Sequence, residues 1–236
     1  MTDTSLSPRS AKNARKDRGD ATRQKLLLAS VEVFGRLGFD AATTRALADA
    51  AGVNLQAITY YFSDKEGLYV ATADYIADLI GKHMSNIGER LRLRFREAEE
   101  SGVPIKIDEA RSLLVEVVQH LAALFVSRES DLWARFMVRE MIEPTEAFKR
   151  IYGRTMGPGM RIAGRLIAII MAEPPDSERI RLHTLSLVGT VLMFRMARAT
   201  AMAHLGWKRI GQREAQAVHD MVPEFVAAIC PQGPVE

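Results

Sequence analysis

Cysteine is almost missing from this chain. Cys230 is the only one in 236 residues, which rules out an intramolecular disulfide and any all-cysteine metal site. The five histidines (His83, His120, His183, His204 and His219) form no pair at i, i+4 and have no acidic partner at metal-ligand spacing, so no metal is expected. Ser-His-Asp signatures, glycine-rich phosphate loops and His-Glu-x-x-His motifs are missing as well. Enzyme chemistry and a cofactor therefore have no positive support. Long apolar runs are also lacking. None approaches the ~18 residues that a membrane span needs, and the N-terminus has no apolar signal region. The expectation is a cytoplasmic protein.

Net charge is small, only +3, but its distribution is uneven. Before residue 26 stand Arg9, Lys12, Arg15, Lys16, Arg18, Arg23 and Lys25 against Asp3, Asp17 and Asp20, a larger excess than the whole chain carries. Residues 1–19, MTDTSLSPRSAKNARKDRG, hold almost no large apolar side chain and cannot build a core. They read as a disordered basic arm. Such a segment serves as a solubilising tail, or follows DNA phosphates or enters the minor groove; the two roles are compatible.

What is abundant is helical periodicity. From Asp20, Leu26, Leu27, Ser30, Val33, Phe34 and Leu37 recur at three- and four-residue steps, and Gly38 closes the run. Next comes Thr43–Leu68, TTRALADAAGVNLQAITYYFSDKEGL. Thr43 or Thr44 caps a short helix carrying Leu47, Ala48 and Ala51, and Gly52 ends it. Asn54 caps a second, Leu55 to Phe62, with Ile58 and Phe62 on one face. Two short helices joined by a glycine-containing turn form a helix-turn-helix. The outer face of the second holds Gln56, Thr59, Tyr60 and Tyr61, uncharged groups able to reach base edges or phosphates. A further helix starts near Lys65, capped by a Ser63/Glu66 box or by Asp64.

These motifs, in this order from Thr22 to Leu68, resemble the DNA-binding domain of the TetR family of transcriptional repressors. This chain has Leu55-Gln56-Ala57 where that family often has Lys-Gly-Thr, and Thr59 where an aromatic is common, so the base preference does not carry over. The segment REMIEPTEAFKRIYGRTMGP, with LHTLSLVGTVLMFRMARA and HLGW later, is similar to the effector domain of the CecR subgroup.

Beyond Lys65 a long helix runs towards Phe95, and 97–104 reads as a loop. Helices are expected at about 108–127, 130–142 and 144–171, the last broken or kinked at Pro158. Another runs from Asp176 or Ser177 to about His204, and a final one covers 212–229. No alternating strand pattern is convincing. The fold class is all-α: an N-terminal three-helix helix-turn-helix domain (20–66), then a larger helical effector-binding and dimerisation domain (67–230).

The resemblance implies a homodimer on a palindromic operator of double-stranded DNA, released by a small-molecule effector. Gln56, Thr59 and Tyr60 would enter the major groove, with Thr44, Tyr61 and Lys65 on phosphates and Arg45 in the same interface. Trp133, Phe136, Met137, Met141, Phe148, Tyr152 and Met156 form an aromatic and methionine-rich set. Each alone reads as ordinary core; together they fit a pocket for an apolar or amphipathic effector. Arg139 and Glu140 either orient a polar group of an effector, face solvent or form a structural ion pair. The dimer face is expected on Leu185, Gly189, Leu192, Met193, Met196, Val222 and Phe225, in the last two helices, which the resemblance pairs across subunits. Rival readings are a regulator that works without an effector, an activator, or an enzyme acting on the small molecule.

Overall fold

The computed structural model describes residues 8–230, with side chains from residue 19 onward. Every regular element among them is helical, as the pattern of apolar residues predicts. The helices are α1 (Pro8–Ala41), α2 (Thr44–Ala51), α3 (Gln56–Phe62), α4 (Lys65–Ser101), α5 (Ile107–Val126), α6 (Glu129–Ile142), α7 (Glu146–Ile151), α8 (Gly157–Met171), α9 (Glu178–Met196), α10 (Arg198–Leu205) and α11 (Gln212–Ile229). A π-helical turn, Tyr152–Met156, joins α7 to α8. Pro158 falls in the first turn of α8, where its missing N–H is not needed.

Three boundaries differ from expectation. Residues 8–19 extend α1 instead of forming a disordered arm; residues 1–7 lie outside the described residues. Ala11, Lys12, Ala14, Arg15 and Lys16 are good helix formers, and they elongate a helix already nucleated by its packed half. The long helix α4 continues to Ser101, through most of the expected loop. The helix expected to run to His204 stops at Ala197, and α10 leaves α9 at 83°.

By internal packing the chain divides into two compact units. One comprises residues up to 76 together with 135–150; the other takes 77–134 and 151 onward. In the first unit α1 packs on α2 and α3. Leu26, Leu27, Phe34, Leu47, Ile58 and Leu68 are fully or almost fully buried. Phe34, Phe39 and Phe136 surround Tyr69 at ring separations of 4.8, 5.1 and 4.8 Å. Ser30 and Thr72, both buried, satisfy each other at 2.6 Å. In the second unit α5 is central and packs on α8, α9 and α11. Its Leu114, Val118, Ala122 and Leu124 are buried with Leu166, Ile167, Leu187 and Val226. Cys230 is buried too, and burial pushes its thiol up to about 11, which leaves it an inert hydrophobe at neutral pH. No single helix among the described residues is long and apolar enough to cross a membrane.

Candidate nucleic-acid interface

The helix-turn-helix is fixed by local chemistry at each joint. Thr43, not Thr44, caps α2, its Oγ1 accepting the Ala46 N–H at 3.1 Å. Gly52 ends the helix at φ 63, and Val53 N–H then bonds back to Ala48 O at 3.0 Å, the pairing of a left-handed C-terminal cap. Asn54 Oδ1 accepts the Gln56 N–H at 2.9 Å, starting α3. For α4 the cap is Asp64, which accepts the Gly67 N–H at 2.7 Å. The turn is so tight that a Cβ at Gly67 would stand 2.0 Å from Phe62 O. Gly67→Ala is therefore expected to shift α4 away from α3, lowering stability by about 2 kcal/mol and weakening DNA binding. Thermal melting and operator titration of the variant check this.

α3 has only seven residues and is anchored by two of them, the buried Ile58 and Phe62. Arg23 of α1 lies over the Phe62 ring at 5.4 Å, closing the base of the helix. The opposite face is open. Gln56 and Thr59 are exposed, and Tyr60 is 80% exposed although it is a large aromatic. Tyr61 is half-buried, its ring edge-on to Tyr60 at 4.7 Å, and its hydroxyl reaches towards the backbone of Gly19 on α1. Thr44 is half-buried and Arg45 exposed at the start of α2. The Lys65 ammonium donates to Phe39 O at 3.0 Å and sits 4.3 Å from the Phe39 ring centre, which ties α4 to the end of α1.

The residues expected to line an effector pocket fall into both units. Phe136 and Met137 are buried in the first, where Met141 and Phe148 are half-buried. Trp133, Tyr152 and Met156 belong to the second. Trp133 is 3% exposed, and its indole N–H has no acceptor. Of the residues expected at a dimer face, Leu185, Gly189 and Met193 are exposed along one side of α9. Leu192, Met196 and Phe225 are half-buried, and Val222 is wholly buried within the chain's own second unit.

With that geometry in place, comparison with known proteins is decisive. The family model for "Bacterial regulatory proteins, tetR family" matches residues 26–72, spanning α2, α3 and the start of α4. The model for the C-terminal domain of the "HTH-type transcriptional dual regulator CecR" matches residues 110–231. The chain belongs to the TetR family. A relative from Shigella flexneri, named HTH-type transcriptional dual regulator CecR, is 31% identical over 205 residues, which is 87% of this chain and 89% of that protein. Among solved structures, the regulator FadR from Bacillus subtilis, in complex with stearoyl-CoA, superposes with TM-score 0.58 at 15% identity, over 88% of this chain and 97% of that one. A TetR-family regulator from Mesorhizobium loti gives TM-score 0.55 at 14% identity, over 90% and 96%. At such identities these two matches speak for the fold alone.

For this TetR-family regulator, pattern reasoning missed the side chains that attach α6 and α7 to the reading head. Arg139 is not engaged with its neighbour Glu140. It donates to the Gly35 and Arg36 carbonyls at 3.3 and 3.1 Å, satisfying acceptors left open at the end of a helix. Gly38 turns the chain there at φ 79, and a Cβ on it would lie 2.9 Å from the Arg139 guanidinium. The Glu140 carboxylate is 1% exposed. It accepts from Tyr69 Oη at 2.5 Å, Thr145 N and Oγ1 at 3.1 and 2.9 Å, and Phe148 N at 2.8 Å. Burial, with the hydrogen bond to this carboxylate, raises the Tyr69 pKa and keeps the phenol protonated. The only signal in the sequence was a pair of charges inside the apolar stretch FMVREMI.

Proposed function

We propose that this chain is a ligand-responsive repressor of the CecR type that binds a palindromic operator as a homodimer and leaves it when a small molecule binds. The observation that carries the reading is the division of α3. Two side chains hold the helix to the domain, while Gln56, Thr59 and Tyr60 face solvent with no folding reason to be there. Gln56 and Thr59 present hydrogen-bonding groups to base edges, Tyr60 a phenol and an apolar ring. Thr44, Arg45 and Tyr61 hold the adjacent phosphates. Residues 1–19 act as a basic arm and 20–66 as the reading head. The remainder, to 230, dimerises and binds an apolar or amphipathic effector. The exposed side of α9 supports the dimer. Leu182, Leu185 and Met193 are 56%, 58% and 52% exposed at helical spacing, a stripe that an isolated chain would leave in water. Repression needs no chemical step, only tighter operator binding by one conformer than by another, and it takes place on DNA in the cytoplasm.

Selection of bound fragments from random DNA tests the reading by yielding the operator. A two-fold symmetric site is expected. On that site Gln56→Ala relaxes the preference at one base pair per half-site, a loss of about 1–3 kcal/mol of discrimination. Arg45→Ala instead weakens all sequences alike and lowers the salt slope by about one counterion. An asymmetric site, or Gln56→Ala with every base preference intact, contradicts the proposal.

A further inference from the structure

The second unit holds an open groove that neither the operator contacts nor the exposed side of α9 uses. It lies where the end of α4, the segment before α5 and the end of α8 come together, with a volume of about 660 Å³. That is in the range of pockets for molecules of some tens of atoms, about 300–1,000 Å³. The walls are aliphatic, formed by Ala98, Pro104, Ile105, Ile169 and Pro174. On one side the Arg165 guanidinium lies over the Phe95 ring, 3.9 Å from its centre, and donates to Glu99 at 2.7 Å. The other carboxylate on the rim, Glu173, is already paired with Arg179 and near the Ser177 hydroxyl. None of the residues that the sequence pattern offered for an effector pocket borders this groove.

We propose that the groove binds an amphipathic anion, with an aliphatic body along the walls and a carboxylate that takes the place of Glu99 on Arg165. The two halves of the Arg165–Glu99 pair are not equally held. Arg165 stacks on Phe95 although its side chain is 46% exposed, whereas the Glu99 side chain has no ring against it, is 66% exposed and can turn into water. Exposed pairs of this kind are held weakly, and a carboxylate delivered by an apolar body replaces Glu99 on the guanidinium. A cationic ligand would have to take Glu99 and leave a guanidinium stacked on an aromatic ring with no anion. Charge complementarity therefore favours the anion. The inference rests on reading the second unit as an effector-binding domain, and it supplies the place and the ligand class.

Calorimetric titration of the full chain, without DNA, with octanoate, 1-octanol and octylammonium tests it. Octanoate is expected to bind at least tenfold more tightly than octanol, and octylammonium more weakly than both. Arg165→Gln should remove the advantage of octanoate and leave octanol unchanged. Ala98→Trp should abolish binding of both by filling the groove. Glu99→Gln should strengthen octanoate severalfold, because the internal competitor is gone; a damaged fold does not gain affinity. Equal binding of the three head groups, or octanoate binding unaltered in Arg165→Gln and Ala98→Trp, overturns the proposal and assigns the binding to adsorption on an apolar surface elsewhere. DNA binding is measured separately. A chain that binds octanoate in this groove and ignores DNA would sink the regulatory reading and leave this one standing.

Discussion

Met193→Glu is expected to convert the protein to a folded monomer that no longer holds its operator. Met193 is 52% exposed in the single chain, on the same side of α9 as Leu182, Leu185 and Gly189. A glutamate there meets water in the monomer and disturbs no packing within the subunit. In a dimer built on this face the same carboxylate is dry and unpaired, at a cost on the order of 3–5 kcal/mol. Two-fold symmetry imposes the cost twice, so association weakens by more than roughly 10⁴-fold. Operator affinity falls with it, because a lone reading head makes half the contacts. Sedimentation at micromolar concentration, beside circular dichroism, checks both halves of the expectation. A well-folded dimer would move the interface to another face. Val222→Glu is not an equivalent test, since Val222 is buried within its own subunit and the substitution would unfold the chain before it reported on assembly.

Glu140→Leu is expected to loosen the reading head without touching any residue that faces DNA. The leucine fills much of the same volume, but it leaves Tyr69 Oη, Thr145 N–H and Phe148 N–H without the acceptor they share. The Tyr69 hydroxyl is buried, and an orphaned buried donor costs about 1–3 kcal/mol; the two N–H groups are partly buried and lose less. The sum is on the order of 3 kcal/mol, and the thermal transition should fall by roughly 10 °C. Glu140→Gln keeps one carbonyl oxygen in place and should lie between the two. Operator affinity should drop in the leucine variant, because Tyr69 sits on α4 only a few residues beyond the cap that orients α3. A leucine variant as stable as the parent would show that the carboxylate contributes nothing to the unit's cohesion, and that water can replace it.

Much of the reading head was legible before any coordinates. The Asn54 cap, the stop at Gly52 and the anchors Ile58 and Phe62 are local devices, each acting within a few residues along the chain, and the structure has them in place. The same holds for the extent of α11. The structure chose Thr43 over Thr44, and Ser177, which accepts the Ile180 N–H at 3.2 Å, over Asp176. Where two local readings competed, as between Ser63 and Asp64, only the geometry of the α3–α4 turn chose. Ser63 is forced to φ 72, and Asp64 becomes the cap. The charge of Lys65 was visible as well, but not the carbonyl that takes its ammonium, which is 26 residues away.

The sequence by itself determined the helical class, the helix-turn-helix and the polar outer face of α3, because periodicity, caps and turns are written in neighbouring residues. The tertiary structure alone decided the features that depend on distant partners. The stretch MFRMARATA contains no glycine or proline, yet the chain bends by 83° at Ala197. There the buried Arg195 donates to the Phe125 and Ser127 carbonyls at the end of α5 and pairs with Asp131. Residues 135–150 join the first unit rather than the second through Arg139 on the end of α1 and Glu140 on Tyr69, contacts that span 71 to 104 positions. A hydrogen bond between residues so far apart leaves no periodic trace in sequence; it forms only when packing brings an unsatisfied carbonyl or a buried hydroxyl within reach of the one side chain able to answer it.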